Sequence, residues 1–210
     1  GEFTPPALEA FDAVLPEKLE RLRLEYRDRM EEGLGEPVGG RTHIDKNPTH
    51  TLFIPGILRL LPDSRFLVAL RDPRDVLLSC FMQRLQPNPI SVNWLTLSDA
   101  ADFYAHTMRS WLAVRQHGSG SWLEFRYEDV VADLPGQARR ILEFLGLPWD
   151  DKVLKFYEHA REKMVRSPTY HDVTRPVYDA SVGRWENYAK YFEPVMHKLA
   201  PFIAEFGYSR

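Results

Sequence analysis

The chain has 210 residues, a formal net charge of −3, a pI near 6.2 and one cysteine. This length suits one α/β domain over residues 1–210, and the acidic balance argues against a protein that grips a nucleic-acid backbone. Because Cys80 is the one cysteine, a disulfide framework within the chain and a cysteine zinc cluster are excluded. No apolar run is long enough to span a membrane, so we expect a cytoplasmic protein without a membrane partner.

The predicted elements alternate in the manner of an α/β protein with a parallel sheet flanked by helices. Residues 1–6, GEFTPP, lack an initiating Met and are typical of a tag or cloning remnant. Helical periodicity recurs in six segments, residues 7–32, 49–61, 99–117, 134–146, 147–161 and 186–206. Three shorter segments predict strands, residues 41–47, 65–71 and 122–127. The first two strands and the helix between them would form a βαβ unit.

Two prolines and one glycine indicate where the predicted helices begin, kink or end. Pro16 predicts a break in the first helix, and Pro55 predicts a kink or a late start of the second. Gly146 is placed to end the helix over residues 134–146 in the left-handed conformation.

The segment RFLVALRDPRDVLLSCFMQR, residues 65–84, carries the strongest functional signal. Its apolar run predicts a strand covered on both faces. A helix should follow at once, because Asp72 can cap it, Pro73 fits its first turn and Asp75 complements its dipole. Arg71 leaves the carboxyl end of the strand, where open parallel sheets place their ligand crevice.

Arg71 and Ser79 together would suit a phosphate group. Ser79 follows Arg71 by eight residues, in the second turn of the predicted helix, so that a guanidinium and a hydroxyl could close on one phosphate. In the alternative interpretation Arg71 pairs with Asp72 or Asp75 at the surface, and Ser79 only packs the helix on the sheet. The spacing alone leaves both interpretations open.

The motif Arg71-Asp-Pro-Arg-Asp-Val through Ser79 resembles the 3′-phosphate-binding segment of sulfotransferases that use 3′-phosphoadenosine-5′-phosphosulfate (PAPS). The likeness covers nearly the whole chain and is closest to bacterial domains fused to tetratricopeptide repeats, relatives of the tyrosylprotein sulfotransferases. It implies a P-loop-NTPase-like sulfotransferase fold in which Arg71 and Ser79 hold the 3′-phosphate and no metal is needed.

The resemblance also implies roles for five further residues. Lys46, in Asp-Lys-Asn-Pro, would stabilise the charge that develops on the leaving oxygens, although an isolated lysine is more often a solvated surface residue. Tyr127, in Tyr-Glu-Asp, would approach the adenosine, the alternative being a buried tyrosine at a strand end. Ser181 and Arg184, with Arg175, would close over the nucleotide, although the Arg-Lys-Gly triplet of cytosolic members is absent.

A further implication is an upstream segment that these 210 residues do not contain. The family's first motif is a strand and a Gly-, Ser- and Thr-containing loop that cradles the 5′-phosphosulfate. Neither this loop nor the upstream acidic base of the tyrosylprotein sulfotransferases occurs here, and His106 is a weak substitute for that base. We therefore expect a domain truncated at its N-terminus that self-associates, swaps an element or fills the gap with a rearranged N-terminal segment.

The favoured function is transfer of a sulfuryl group from PAPS to a hydroxyl or amine of a small-molecule or peptide acceptor, incomplete in this chain. The products would be the sulfated acceptor and adenosine 3′,5′-bisphosphate. The alternative is a non-catalytic nucleotide- or protein-binding fragment of the same fold. A nucleoside-phosphate kinase relative is a third interpretation, and it suffers from the same missing phosphate loop.

Overall fold

The computed structural model describes residues 5–83, 88–118, 120–158 and 174–209, with the side chains of residues 5–8 left out. The α-helices are α1 Pro5–Asp12, α2 Pro16–Leu34, α3 Ile54–Leu60, α4 Pro73–Met82, α5 Leu97–His117, α6 Tyr127–Ala132, α7 Leu134–Leu145, α8 Ala189–Phe192 and α9 Met196–Glu205. The strands are β1 Arg65–Leu70 and β2 Ser121–Arg126. Short 3-10 helices occupy Pro48–Phe53, Ser91–Trp94, Asp151–Lys155, Arg184–Tyr188 and Glu193–Val195.

The chain divides into two compact units. The first contains the described parts of residues 1–65 and 107–121, and the second contains those of 66–106 and 122–210. The prediction of one domain over the whole chain stays a prediction.

The first unit is helical, and polar contacts hold its helices together. Arg59 of α3 forms two hydrogen bonds with the carboxylate of Asp12, at 2.5 and 3.0 Å. Arg23 of α2 donates from Nε to the carbonyl of Leu60 at 2.6 Å. The predicted break at Pro16 is confirmed, because Pro16 begins α2 and fits a first turn that needs no N–H donor.

The predicted strand over residues 41–47 is wrong, and with it the βαβ unit that it would open. These residues form no strand in the described structure and are exposed throughout. The physical reason is their composition: Ile44 is the one large apolar side chain, and it is 75% exposed, so the segment has no apolar face to bury against a neighbouring strand. The late helix start is confirmed, because a 3-10 helix precedes α3 and Pro55 lies in the first turn of α3.

The second unit is built on strand β1 and helix α4. The described sheet has two strands in the order β1–β2, and they run parallel. Leu77 of α4 is fully buried, and Tyr104 of α5 packs edge to face on Phe202 of α9 with ring centroids 5.8 Å apart. Leu199 and Ile203 of α9 complete this apolar core.

The predicted ends of the functional segment are confirmed. Asp72 caps α4 by accepting a hydrogen bond from the backbone N–H of Arg74 at 2.9 Å, and Pro73 occupies the first turn. Gly146 ends α7 with φ of 70°, the left-handed conformation expected of it.

Two predicted helices differ from the structure. Residues 186–206 form α8, a 3-10 turn and α9 instead of one helix, because Pro194 lacks the N–H that a continuous helix needs. Within residues 147–161, a 3-10 helix occupies Asp151–Lys155 and residues 156–158 are helical, while residues 159–161 lie outside the described residues.

Candidate anion-binding site

Arg71 directly follows the last residue of β1, and its guanidinium contacts other residues of the second unit. Its Nη2 donates to the carbonyl oxygen of Ser181, and its Cζ lies 4.8 Å from the ring centroid of Tyr127. Its Nε is buried and has no hydrogen-bond partner among the described residues, while the side chain as a whole is 21% exposed. A buried N–H without an acceptor is costly, so this atom is suited to meet an anionic ligand.

Tyr127, at the start of α6, joins the same cluster. Its hydroxyl lies beside the side chain of Ser181. Burial raises the pKa of the Tyr127 phenol, and the positive charge of Arg71 opposes that rise. The structure therefore brings together Arg71, Tyr127 and Ser181, three of the residues that the sequence predicts for the site.

Asp75, in the first turn of α4, lies behind Arg71 with its carboxylate fully buried. It accepts hydrogen bonds from the backbone N–H groups of Gly183 at 2.7 Å and Trp185 at 2.8 Å. Its Oδ2 lies 3.9 Å from Nη2 of Arg71. Burial raises the pKa of Asp75, and the two backbone hydrogen bonds and Arg71 oppose the rise.

Ser79 lies half-buried on α4, two turns after Asp72. Its hydroxyl accepts a hydrogen bond from the Gln83 side chain at 3.4 Å. Burial raises the pKa of the neighbouring Cys80 thiol to about 11, against the opposing charge of Arg71. Cys80 is therefore a neutral packing residue, and the phosphate contact of Ser79 stays a prediction.

The other predicted site residues lie on exposed positions. Arg184 begins a 3-10 helix, and its carbonyl accepts from the Asn187 side chain at 3.3 Å. Arg175 stacks its guanidinium 3.7 Å from the ring centroid of Tyr178. Lys46 lies in the first unit, in the irregular segment that was predicted as a strand.

Arg74 is a structural residue of the motif whose role the sequence did not reveal. It is 2% exposed and forks onto the Asp72 carboxylate at 2.9 and 2.6 Å. It also donates to the carbonyl of Ser209 at 2.7 Å and stacks 3.8 Å from the Trp185 ring centroid. Two arginines of one motif thus have different environments, and only Arg71 is accessible to a ligand.

Glu128 is a second residue that sequence reasoning missed. Its carboxylate accepts from the backbone N–H of Asp72 at 3.0 Å and from the hydroxyl of Tyr208 at 2.8 Å. It therefore ties α6, which carries Tyr127, to the turn that carries Arg71. The Tyr-Glu-Asp tripeptide was the available signal, because its glutamate directly follows the predicted site tyrosine.

The described part of the chain offers no cluster of three His, Cys, Asp or Glu side chains suited to a metal ion. Within the same residues, no helix combines the length and apolar character needed to cross a bilayer.

A family model described as the sulfotransferase family matches residues 5–151 of this chain. Because this match covers more than half of the chain, the protein belongs to the sulfotransferase family. Arg71, Ser79 and Tyr127 lie within the matched residues, whereas Ser181 and Arg184 lie beyond them.

Individual relatives agree with the family assignment. Protein-tyrosine sulfotransferase A of Caenorhabditis elegans is 31% identical over 103 residues, which cover 45% of this chain and 25% of that protein. Omega-hydroxy-beta-dihydromenaquinone-9 sulfotransferase Stf3 of Mycobacterium bovis is 31% identical over 116 residues, which cover 51% of this chain and 29% of that protein. The chain thus corresponds to less than a third of the length of either relative.

The fold is shared with a solved structure, the sulfotransferase domain from the curacin biosynthetic pathway. The two superpose with a TM-score of 0.65 at 17% sequence identity, over 89% of this chain and 68% of that domain. The sulfotransferase fold predicted from the sequence is therefore confirmed.

Proposed function

We propose that this chain is the nucleotide-binding part of a PAPS-dependent sulfotransferase. The observation that carries the proposal is the Nε of Arg71, a buried donor that no group in the described part of the chain satisfies, on a side chain that a ligand can reach. Family membership supplies the reaction class. In that reaction a bond forms between the acceptor oxygen and sulfur, the bond from sulfur to the bridging oxygen breaks, and the acceptor loses its proton.

The residues fit the 3′-phosphate of the donor. Arg71 would offer its guanidinium fork, and Ser79 its hydroxyl, to the phosphate oxygens. Tyr127 and Ser181 already contact Arg71, so they would line the same side of the nucleotide. Arg184, three residues after Ser181, would add a second positive charge near the nucleotide.

Arg175 and Lys46 complete the proposal. Arg175, stacked on Tyr178, would add positive charge near the nucleotide. Lys46 would act as the catalytic cation, because an ammonium near the sulfuryl group stabilises the charge that develops on the leaving oxygen.

The acceptor is proposed to be a hydroxyl group. The names of the two relatives describe a protein tyrosine and an omega-hydroxy dihydromenaquinone, and both of these substrates carry a hydroxyl. A small molecule or a peptide with an accessible hydroxyl therefore suits the proposal best.

Calorimetric titration with adenosine 3′,5′-bisphosphate tests the nucleotide site. Arg71→Ala should weaken binding by ~1.5–3 kcal/mol, or about 10- to 150-fold, the usual value of a hydrogen bond to a charged group. Arg65→Ala, at the other end of β1, is the matched control and should bind like the wild type. Adenosine 5′-monophosphate lacks the 3′-phosphate, so its affinity should be the same in all three proteins.

Two results would contradict the site. Wild-type protein that fails to bind the bisphosphate at millimolar concentration would exclude a working half-site, and undiminished binding by Arg71→Ala would remove Arg71 from it. Sulfuryl transfer itself is tested by incubating the chain with PAPS and a tyrosine-containing peptide, with sulfation detected by mass spectrometry.

A further inference from the structure

The carboxylate of Asp75 is committed to the backbone of a distant segment. Its side chain is 0% exposed, and each oxygen accepts one backbone N–H, Oδ2 from Gly183 and Oδ1 from Trp185. Burial of a carboxylate is costly unless hydrogen bonds compensate it. The helix start does not require this arrangement, because Asp72 already caps α4. The contact therefore needs a reason other than helix capping.

The segment that Asp75 holds, residues 181–185, is a tight turn. The N–H of Val182 bonds to the carbonyl of Asp179 at 2.7 Å, and the N–H of Glu186 bonds to the carbonyl of Gly183 at 3.1 Å. Gly183 has φ of +68°, a conformation that other residues adopt at a cost. The turn is thus defined by its own backbone and by the two bonds from Asp75.

This turn delivers Ser181 to the candidate site. The Ser181 carbonyl accepts from Arg71, and the Ser181 side chain lies beside the hydroxyl of Tyr127. Arg71, which follows β1, contacts the turn at Ser181, and Asp75, in the first turn of α4, contacts it at Gly183 and Trp185. Any movement of the turn away from Asp75 would pull Ser181 off Arg71 and Tyr127.

We propose that Asp75 is a positioning residue for the nucleotide site. It fixes the turn at residues 181–185, so that Arg71, Tyr127 and Ser181 keep the geometry that receives the 3′-phosphate. Asp75 does not touch the ligand itself, because both of its oxygens are occupied by backbone donors and its charge would repel a phosphate. This inference rests on the proposed function and adds a residue that acts through the turn.

Asp75→Asn tests the inference with the smallest change of shape. The amide has one acceptor oxygen, so one of the two backbone N–H groups is left facing an NH₂ donor. We expect affinity for adenosine 3′,5′-bisphosphate to fall by on the order of tenfold, the equivalent of one lost buried hydrogen bond. Asp179→Asn is the matched control, because Asp179 is an exposed aspartate at the start of the same turn, and it should bind like the wild type.

Two further measurements separate positioning from general damage to the fold. Affinity for adenosine 5′-monophosphate should be unchanged in Asp75→Asn, whereas a disordered protein would lose both ligands. Amide hydrogen exchange measured by NMR should accelerate at Gly183 and Trp185 in the variant and remain slow in the core of α4.

A pair of Gly183 variants perturbs the turn while the carboxylate stays in place. Gly183→Ala should lower the bisphosphate affinity because alanine resists the left-handed conformation, and Gly183→Asn should restore part of it because asparagine tolerates that conformation. The pair keeps the test decisive if Asp75→Asn does not fold.

Each outcome distinguishes this inference from the proposed function. Wild-type affinity in Asp75→Asn or Gly183→Ala, together with loss of binding in Arg71→Ala, would overturn the inference alone. Weaker binding with unchanged exchange at Gly183 and Trp185 would also overturn it, because the effect would not pass through the turn. A wild-type protein without bisphosphate binding would overturn both.

Discussion

Arg71 and Arg74 belong to one short motif, but Arg71 is suited to bind a ligand and Arg74 has a structural role. The two arginines are three residues apart, and within the described structure each has one buried nitrogen without a hydrogen-bond partner. Arg74 is covered by Asp72 and Trp185 and is 2% exposed, so a ligand cannot reach it. Arg71 remains partly exposed beside Tyr127. Accessibility, and not residue type, therefore decides which of the two can bind an anion.

Cys80 should react slowly with thiol reagents at neutral pH. Burial raises its pKa to about 11, so the reactive thiolate is a minor species, and its fraction rises about tenfold per pH unit until that pKa is reached. The rate of iodoacetamide alkylation, measured from pH 8 to 10.5, should therefore increase without a plateau. The chain unfolded in urea is the control and should level off near the ordinary pKa of a cysteine.

The raised pKa of Cys80 also predicts how the free energy of unfolding changes with pH. Because the folded thiol keeps its proton to a higher pH than the unfolded thiol, the free energy of unfolding should fall as the pH rises from about 9 to 11. A plateau of the alkylation rate below pH 9.5 would contradict both expectations.

At the scale of elements, the end of α7 is a clear case of a glycine required by backbone conformation. Gly146 has φ of 70°, and its N–H bonds to the carbonyls of the last helical turn. Gly146→Ala should lower the free energy of unfolding by about 1 kcal/mol, because alanine adopts this conformation at a cost. Urea denaturation monitored by circular dichroism measures the change.

Gly33 is the matched control for this substitution. It lies inside α2, where an added Cβ would meet no atom within 4 Å. Gly33→Ala should raise the free energy of unfolding by roughly 0.5–1 kcal/mol, since alanine favours the helix. Equal effects of the two substitutions would show that conformation at Gly146 is not the cause.

Elements with strong local signals were predictable, and those that depend on partners were not. Strand β1 and helix α4 follow from an apolar run, a capping aspartate at Asp72 and a proline at Pro73, all of which act within a few residues. Residues 41–47 do not form the predicted strand, because a strand needs an apolar face to bury and Ile44 is the one large apolar residue among them. Pro194 was a local signal against one long final helix, and it was overlooked.

At the scale of the whole molecule, the sheet leaves apolar surface uncovered. Both strands of the described sheet have one neighbour each. Leu67 lies in the apolar part of β1 and is exposed, so the prediction of a strand covered on both faces is wrong. We therefore expect the isolated chain to self-associate, as the sequence predicts, because exposed strand edges and apolar faces favour pairing with other chains.

Sedimentation velocity over a range of concentrations measures this association. Leu67→Lys should shift the protein toward the monomer, because the charge opposes burial of that face. Leu24→Lys makes the same change at an exposed leucine of α2 and should leave the association unaltered. A wild-type monomer at all concentrations would contradict the expectation.

The candidate site was predictable where the family resemblance marked its residues. Arg71, Tyr127 and Ser181 were expected from a family resemblance, and the structure brings them together from widely separated positions. Asp75 was expected to complement the helix dipole or, in the alternative interpretation, to pair with Arg71 at the surface. Its partners are the backbone N–H groups of Gly183 and Trp185, and every residue except proline carries such a group, so no sequence pattern marks them.

The last residues of the described chain are also held through backbone groups, which do not depend on residue type. Arg74 donates to the carbonyl of Ser209, and Arg126 donates to the carbonyl of Gly207 at 3.4 Å. Because a carbonyl is common to all amino acids, substitution of Ser209 would preserve its hydrogen bond, whereas trimming the tail would remove it. Among homologues, we therefore expect the length of this C-terminal tail to be conserved more strongly than the identities of its residues.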